Sequence, residues 1–540
     1  MHTHSHHRSY RHITAVLVGS IAALLSSPSV SAAPTWGNTG TNFNAGASWV
    51  GGVAPVPGDQ PTFTGPAVTN PDLSASIATG IVMFSTTDAS GYTISSANGS
   101  TLTLNTSAGG VRASNTSGTN TFSAAVSLGS QGGIQRTISQ AAGGTLNFTG
   151  GLSATGSSTG NMHINGGGTI NLSGTSSFTS TGAFFVVGES TGTTTLGITG
   201  GTTTVNIGTS GMVLGVVGTA SNTNGTITAS GGTLNLNGTN SVSGANVTLG
   251  STGGGATTGI LNVSGGAVNI SATTGLVLGI AGTNSIGTLN VNSGTITVNK
   301  GTIGTTTNTV ETRYILLGVD TGKGTINLGN GTGSTGVLAT DRIIAADGGS
   351  GTGGATTAAF VFNGGTLKAL GANSDWLQAG ASSTTNTNAA ALTSVTTTAV
   401  STIDSNGFAV GINNAVSGAG GFTIKDSSGT GTGVVTLGGA NTYTGKTTVS
   451  SGTLTVDNNG STTFGKITGS SAPDSITVNN TGTLLLAGTG SADRIGDAAG
   501  VTLAGGTLSM AGLSNSAETL GALILAAVRS STSAPARATA

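Results

Sequence analysis

The chain has 540 residues, among them 96 glycines, no cysteine, 4% aromatic and only 6% charged residues, with a formal net charge of −1. The missing cysteine excludes disulfide scaffolds, thiol catalysis and zinc–thiolate sites. Low charge with a mean hydropathy of +0.20 excludes an ionic disordered chain, and the absence of a basic excess speaks against nucleic acid as a partner.

Residues 1–33 read as a secretory signal peptide: a basic start with Arg8 and Arg11, an apolar run from Ile13 to Leu25, and small residues Ser31, Ala32 and Ala33 before Pro34. The apolar run is short for a bilayer span, so cleavage is expected and no integral membrane segment remains. The expected location is therefore the outside of the cell or its surface. Five of the six histidines (His2, His4, His6, His7 and His12) fall in this leader, where a polar start to the signal explains them better than metal binding. Removing Arg8 and Arg11 from the 15 basic residues leaves 13 against 16 acidic ones, a net charge near −3.

Residues 34–65 concentrate Trp36, Trp49 and four prolines (Pro34, Pro55, Pro57 and Pro61). Such a shift in composition at the start of a repetitive chain reads as a cap for the first repeat. A sugar-stacking platform built on Trp36 and Trp49 is the functional alternative.

From residue 66 to 528 the chain repeats a short word, glycine–threonine–apolar–polar–apolar. It stands at Gly144–Phe148, Gly168–Leu172, Gly232–Leu236, Gly287–Val291 and Gly324–Leu328, and more loosely at Gly482–Leu486 and Gly506–Met510. A period of two sends its aliphatic residues to one face and its Thr and Asn to the other. Over residues 161–330 a second word alternates with it, an apolar run closed by glycine: Phe185–Gly188, Val213–Gly215, Val277–Gly279 and Leu316–Gly318. Glycine at this density disfavours helices, whereas Thr and Val suit strands and Gly, Asn and Ser suit turns. The expected fold is all-β: a right-handed parallel β-helix, with two or three strands per turn, roughly 20 rungs and a length on the order of 100 Å.

Residues 331–437 are looser, and Trp376 and Phe408 are expected to pack under loops. Leu520–Val528 reads as one more strand. Residues 529–540 abandon the pattern and read as a disordered or frame-shifted tail.

The clearest copy of the repeat is 438–456, GGANTYTGKTTVSSGTLTV. It resembles the autotransporter-associated β-strand repeat, also called the passenger-associated transport repeat. Its pattern of Asn-Thr-Tyr-Thr-Gly, Thr-Thr and Gly-Thr-Leu falls on Asn441–Gly445, Thr447–Thr448 and Gly452–Leu454. The segment from Gly482 to Leu525 and the tryptophan-containing start are similar to neighbouring parts of such proteins. The resemblance implies an exported, passenger-like β-helix displayed at or secreted from the surface of a Gram-negative cell, in a structural or adhesive role. This sequence has one strong copy, and it shows none of the roughly ten-residue alternating strands with aromatic girdles that a membrane barrel uses.

Catalysis needs titratable groups brought together, and few exist. Outside the leader, His163 stands alone, which removes any site built on paired histidines. The local acidic clusters are Asp341-Arg342 with Asp347, and Asp493-Arg494 with Asp497; a polysaccharide lyase or glycoside hydrolase could use two carboxylates, but solvated turns explain both clusters. Asp347-Gly348-Gly349 echoes a calcium-binding repeat once. Gly253–Gly255 lacks the lysine of a phosphate loop, and the Asn-x-Ser/Thr triplets at Asn98 and Asn105 are expected by chance. No catalytic, cofactor-binding or metal-ligating residue and no cofactor is assigned. An extracellular polysaccharide is the partner the polar ladders would suit.

Overall fold

In the strand Thr145–Phe148, Leu146 and Phe148 are fully buried while Thr145 and Asn147 are half-buried. An amphipathic strand with a dry side must find partners that continue that side. It pairs in parallel with Thr119–Phe122 below and Thr169–Leu172 above, Leu146 standing in register with Ile170 and Phe148 with Leu172. The same rule carried along the chain gives a parallel β-helix. The computed structural model describes residues 33–526 apart from 106–109, 130–134, 156–160, 180–183, 190–191, 208–211, 217–222, 239–246, 252–255, 272–274, 281–283, 300–314, 320, 347–356, 380–388, 458–466, 468–474, 489–493 and 511–517.

Each turn of the coil passes through three walls. The first wall stacks strands from Thr93–Ile94 to Val416–Ser417. The second runs from Ile77–Thr79 to Leu523–Leu525, which places the apolar C-terminal stretch on the coil as a strand. Among the described residues the third runs from Thr62–Phe63 to Thr507–Met510 through 17 strands. At about 4.8 Å per rung the third wall is roughly 80 Å tall. This is shorter than the expectation from sequence because some turns spend many residues between register partners, as between Leu276 and Ile315.

The two sequence words meet at one corner. Gly250, Gly279 and Gly318, which close third-wall strands, have φ of +69°, +70° and +65°, a conformation that costs any residue with a Cβ. Space is also denied: a Cβ on Gly279 would lie 2.3 Å from the Lys323 carbonyl oxygen, and one on Gly287 would lie 2.4 Å from the Gly279 nitrogen. Gly287 opens the first word and Gly279 closes the second, so the two glycines are halves of one tight crossing between the third and first walls.

The third wall differs from the others in its outer face. Phe185 and Val187 point inward, yet Val186 between them is also buried, and so are Val277 and Ile344 in later rungs. A parallel strand covered on both sides reads as a continuous apolar run. That is the physical content of the second word.

The strand Thr447–Asp457 holds the strongest repeat copy. Its turn at Ser450–Gly452, where Gly452 has φ +72°, is a corner. Thr447–Val449 lies on the second wall and Thr453–Val456 on the third, each paired with the rungs above and below. Thr455, expected on the polar side, is buried instead.

At the N-terminal end Thr35 bridges in parallel to Thr62, while Trp36 bridges antiparallel to Trp49. The chain thus folds back over its own first rung. Trp36, Phe43, Trp49 and Phe63 form a buried cluster, with Trp36 edge-on to Trp49 at 5.1 Å and Phe43 edge-on to Trp49 at 5.0 Å. Aromatic stacking then continues up the interior through Phe63–Phe84 at 5.2 Å and Phe122–Phe148 at 5.0 Å. Trp376, expected under a loop, lies fully buried on the strand Asn373–Leu377 and donates its indole N–H to the Thr340 carbonyl at 3.0 Å. Phe408 is half-buried and packs against the core.

Candidate functional surface

A stacking platform for sugars needs exposed ring faces, and Trp36 and Trp49 offer none. They are 2% and 3% exposed, and their indole N–H groups donate to the carbonyls of Thr69 at 3.2 Å and Phe43 at 2.8 Å. Both side chains serve the core. The platform alternative is therefore discarded.

The Asp341-Arg342 pair is completed by the next rung. Arg342 lies 3.9 Å from Asp375 and its Nη2 donates to Gln378 Oε1, while the Asp341 carbonyl accepts from Asn373. Burial pushes the Asp375 carboxyl up, against hydrogen bonding from the Ala379 N–H, the charge of Arg342 and the Asn413 side chain. Asp347, Gly348 and Gly349 lie outside the described residues, as do Gly253–Gly255.

Of the second cluster, Asp493 lies outside the described residues. Arg494 is fully buried and paired with Glu518 at 3.6 Å. The Glu518 carboxylate also accepts from the backbone N–H groups of Arg494 at 3.0 Å and Ile495 at 2.7 Å. It thereby closes the first wall, whose parallel bridges run Asn441–Ile467–Ile495. Arg494 and Glu518 are engaged in terminating the coil.

His163, buried on the third wall, has its Nδ1 against the Glu189 carboxylate. Asp375, Gln378, Glu189 and Glu518 escaped the sequence reading because each meets its partner across a rung or a turn, at separations that no local motif marks. Among the described residues no group of three His, Cys, Asp or Glu side chains is placed to hold a metal ion, and no helix is long and apolar enough to cross a membrane.

What the sequence marks and the coil assembles is the outer face of the first wall. Thr145, Thr169, Thr195 and Thr226 stand in register in four successive rungs, and Thr288 with Thr325 in two more. Two residues along each strand runs a second row. There Asn290 Nδ2 donates to Asn262 Oδ1 at 2.8 Å and Asn327 to Asn290 at 2.8 Å, while Asn262 reaches Thr228 at 3.4 Å. Asn171 donates to Asn147 at 3.0 Å. Its Oδ1 also lies over Gly197, at 2.2 Å from where a Cβ would stand. Stacking identical amides lets each donate to one neighbour and accept from the other, which is why the ladder holds its shape.

The second wall carries a comparable array. Thr366, Thr402, Thr423, Thr448, Thr477 and Thr502 are in continuous register. Here the neighbouring row is charged, with Lys368 3.9 Å from Asp404 and Asp404 in register with Lys425. Comparison with protein-family models, curated proteins and solved structures finds no match for this chain.

Proposed function

We propose that this protein is an exported, passenger-like β-helical rod with a structural, surface-display or adhesive role. The observation that carries the reading is the uninterrupted stack of third-wall strands from Thr62–Phe63 to Thr507–Met510, a long rod. The leader at 1–33 and the resemblance of 438–456 to the autotransporter-associated repeat support export to the surface of a Gram-negative cell. A stiff scaffold with few titratable groups suits display better than chemistry. Its function is then to hold polar rows away from the cell.

Protease shaving of intact host cells, followed by fractionation, tests this. Release of large β-rich fragments from unbroken cells is the expected result. Protein that is protected in intact cells and recovered with the cytoplasmic fraction would overturn it. Saturable glycan cleavage by the purified chain, lost in Asp341→Ala, would replace display with enzymatic function.

A further inference from the structure

We infer that Asn98 is a self-modifying site, whose side-chain amide is lost spontaneously by ring closure onto the Gly99 nitrogen, with water as the co-reactant. The inference is independent of the display reading above. Asn98 and Gly99 are exposed, in the turn that carries the coil from the bridge at Ser95 on the first wall to Thr101–Leu104 on the second. Gly99 has φ +76°, and a Cβ there would meet nothing within 4 Å. Among the described residues its N–H has no hydrogen-bond partner. The nitrogen that must act as nucleophile is therefore open to solvent and can give its proton to a base in water.

The arrangement of donors favours attack. The Ser100 N–H donates to Asn98 Oδ1 at 3.0 Å, closing an Asx turn whose ring contains both the Asn98 Cγ and the Gly99 nitrogen. Two hydroxyls donate to the same oxygen, Ser96 Oγ at 2.9 Å and Ser100 Oγ. Addition of the nitrogen to Cγ puts negative charge on that oxygen, and three donors are already aimed at it. The N–Cγ bond forms as the Gly99 proton leaves, and the Cγ–Nδ2 bond breaks as the amide nitrogen takes a proton from water and departs as ammonia. Water then opens the five-membered imide at either carbonyl, giving isoaspartate or aspartate. In sum, asparagine and water become an acid and ammonia, with nothing oxidised or reduced.

The other described Asn-Gly steps lack this combination. Asn165, Asn224 and Asn237 lie on strands, where the ladder holds the backbone extended. The Gly331 N–H donates to the Asn363 carbonyl at 2.8 Å and the Gly364 N–H to Ser401 Oγ at 2.8 Å. The Gly407 N–H donates to the Asp426 carboxylate. In these steps strand pairing or a hydrogen bond from the glycine nitrogen opposes ring closure. Modification at Asn98 also has a structural consequence. Its Nδ2 donates to the Ser74 carbonyl of the rung below at 2.7 Å, and an ionised acid in its place has no proton to donate. The corner loses one tie between rungs and gains one negative charge.

The test is peptide mapping by mass spectrometry of the full chain after ageing in mildly alkaline buffer made with heavy-oxygen water. Label is expected at Asn98 first, about tenfold ahead of Asn224, Asn330, Asn363 and Asn406, a ratio that one hydrogen bond at the reacting groups supplies. In urea, where every Asn-Gly step is open, the steps should react at similar rates. Ser100→Ala removes one donor and should slow the folded Asn98 about tenfold while leaving its rate in urea unchanged. Ser96→Ala takes away the other hydroxyl and should slow it in the same direction, which guards against a folding defect in the first variant. Hydrogen-exchange protection near Ser74 should fall as the label accumulates. Asn98 left unlabelled while other steps react, a slower reaction in the folded chain than in urea, or an unchanged rate in both serine variants would overturn the proposal.

Discussion

Single residues decide the corners of this coil. Gly279 combines a positive φ with a backbone carbonyl in the space a Cβ would take, whereas Gly51 has φ +86° and nothing within 4 Å. Gly51→Ala should cost only the left-handed backbone penalty, about 1–2 kcal/mol. Gly279→Ala adds overpacking of a further ~1–3 kcal/mol, and urea denaturation of the two variants should show the difference. Tyr443 contributes to the behaviour at alkaline pH. Its ring is fully buried and its hydroxyl lies 2.8 Å from Thr447 Oγ1, and burial pushes the phenol well above its ordinary range. The folded chain keeps that proton after the unfolded chain has lost it, so the unfolded state binds fewer protons at alkaline pH. The Tyr443 contribution to stability should be constant below the phenol's ordinary value near 10 and fall above it. Tyr443→Phe should flatten the fall while losing about 1 kcal/mol at neutral pH, as thermal melts across pH would show.

At the scale of strands, the end of the first wall is held by one carboxylate. Removing a partner from a buried ion pair costs about 3–5 kcal/mol, so Glu518→Ala should release Arg494 and Ile495 and fray the last rungs. Hydrogen exchange should report the loss at Ile495 and Val501 while Leu146 stays protected. Strands were the most legible feature of the sequence, because inside and outside alternate in words such as Gly168–Leu172. Which wall a word builds was not legible: Gly287–Val291 lies on the first, Gly232–Leu236 on the second and Gly452–Val456 on the third. The word occurs on all three walls, so it carries no address. Only the apolar run closed by glycine does: its copies fall on the third wall, where Val186 and Val277 are buried on the outer side too. The Thr and Asn rows were visible as composition. Their alignment into a face was not, since turns of unequal length separate the rungs.

For the whole molecule, each rung touches chiefly the rungs beside it, so stability is close to a sum of nearest-neighbour terms. The register that places Thr257 opposite Ser285 and Val268 opposite Ile296 means that excising residues 257–284 splices one rung onto the next without changing wall or face. The shortened chain should fold, keep its β-sheet circular dichroism and lose about 4.8 Å of length in solution scattering. The parallel pairing also sets how the rod answers force. Its backbone hydrogen bonds point along the axis, so a pull on a chain end opens the terminal rung edge-first, a few hydrogen bonds at a time, while the rungs within the stack are held on both sides. Each rung surrendered, such as the stretch between register partners Phe422 and Thr447, pays out on the order of 80–90 Å of chain. A tethered rod would yield in a series of similar steps under modest load, dissipating work at each one, and rewind on the exposed rung as a template when the load is withdrawn.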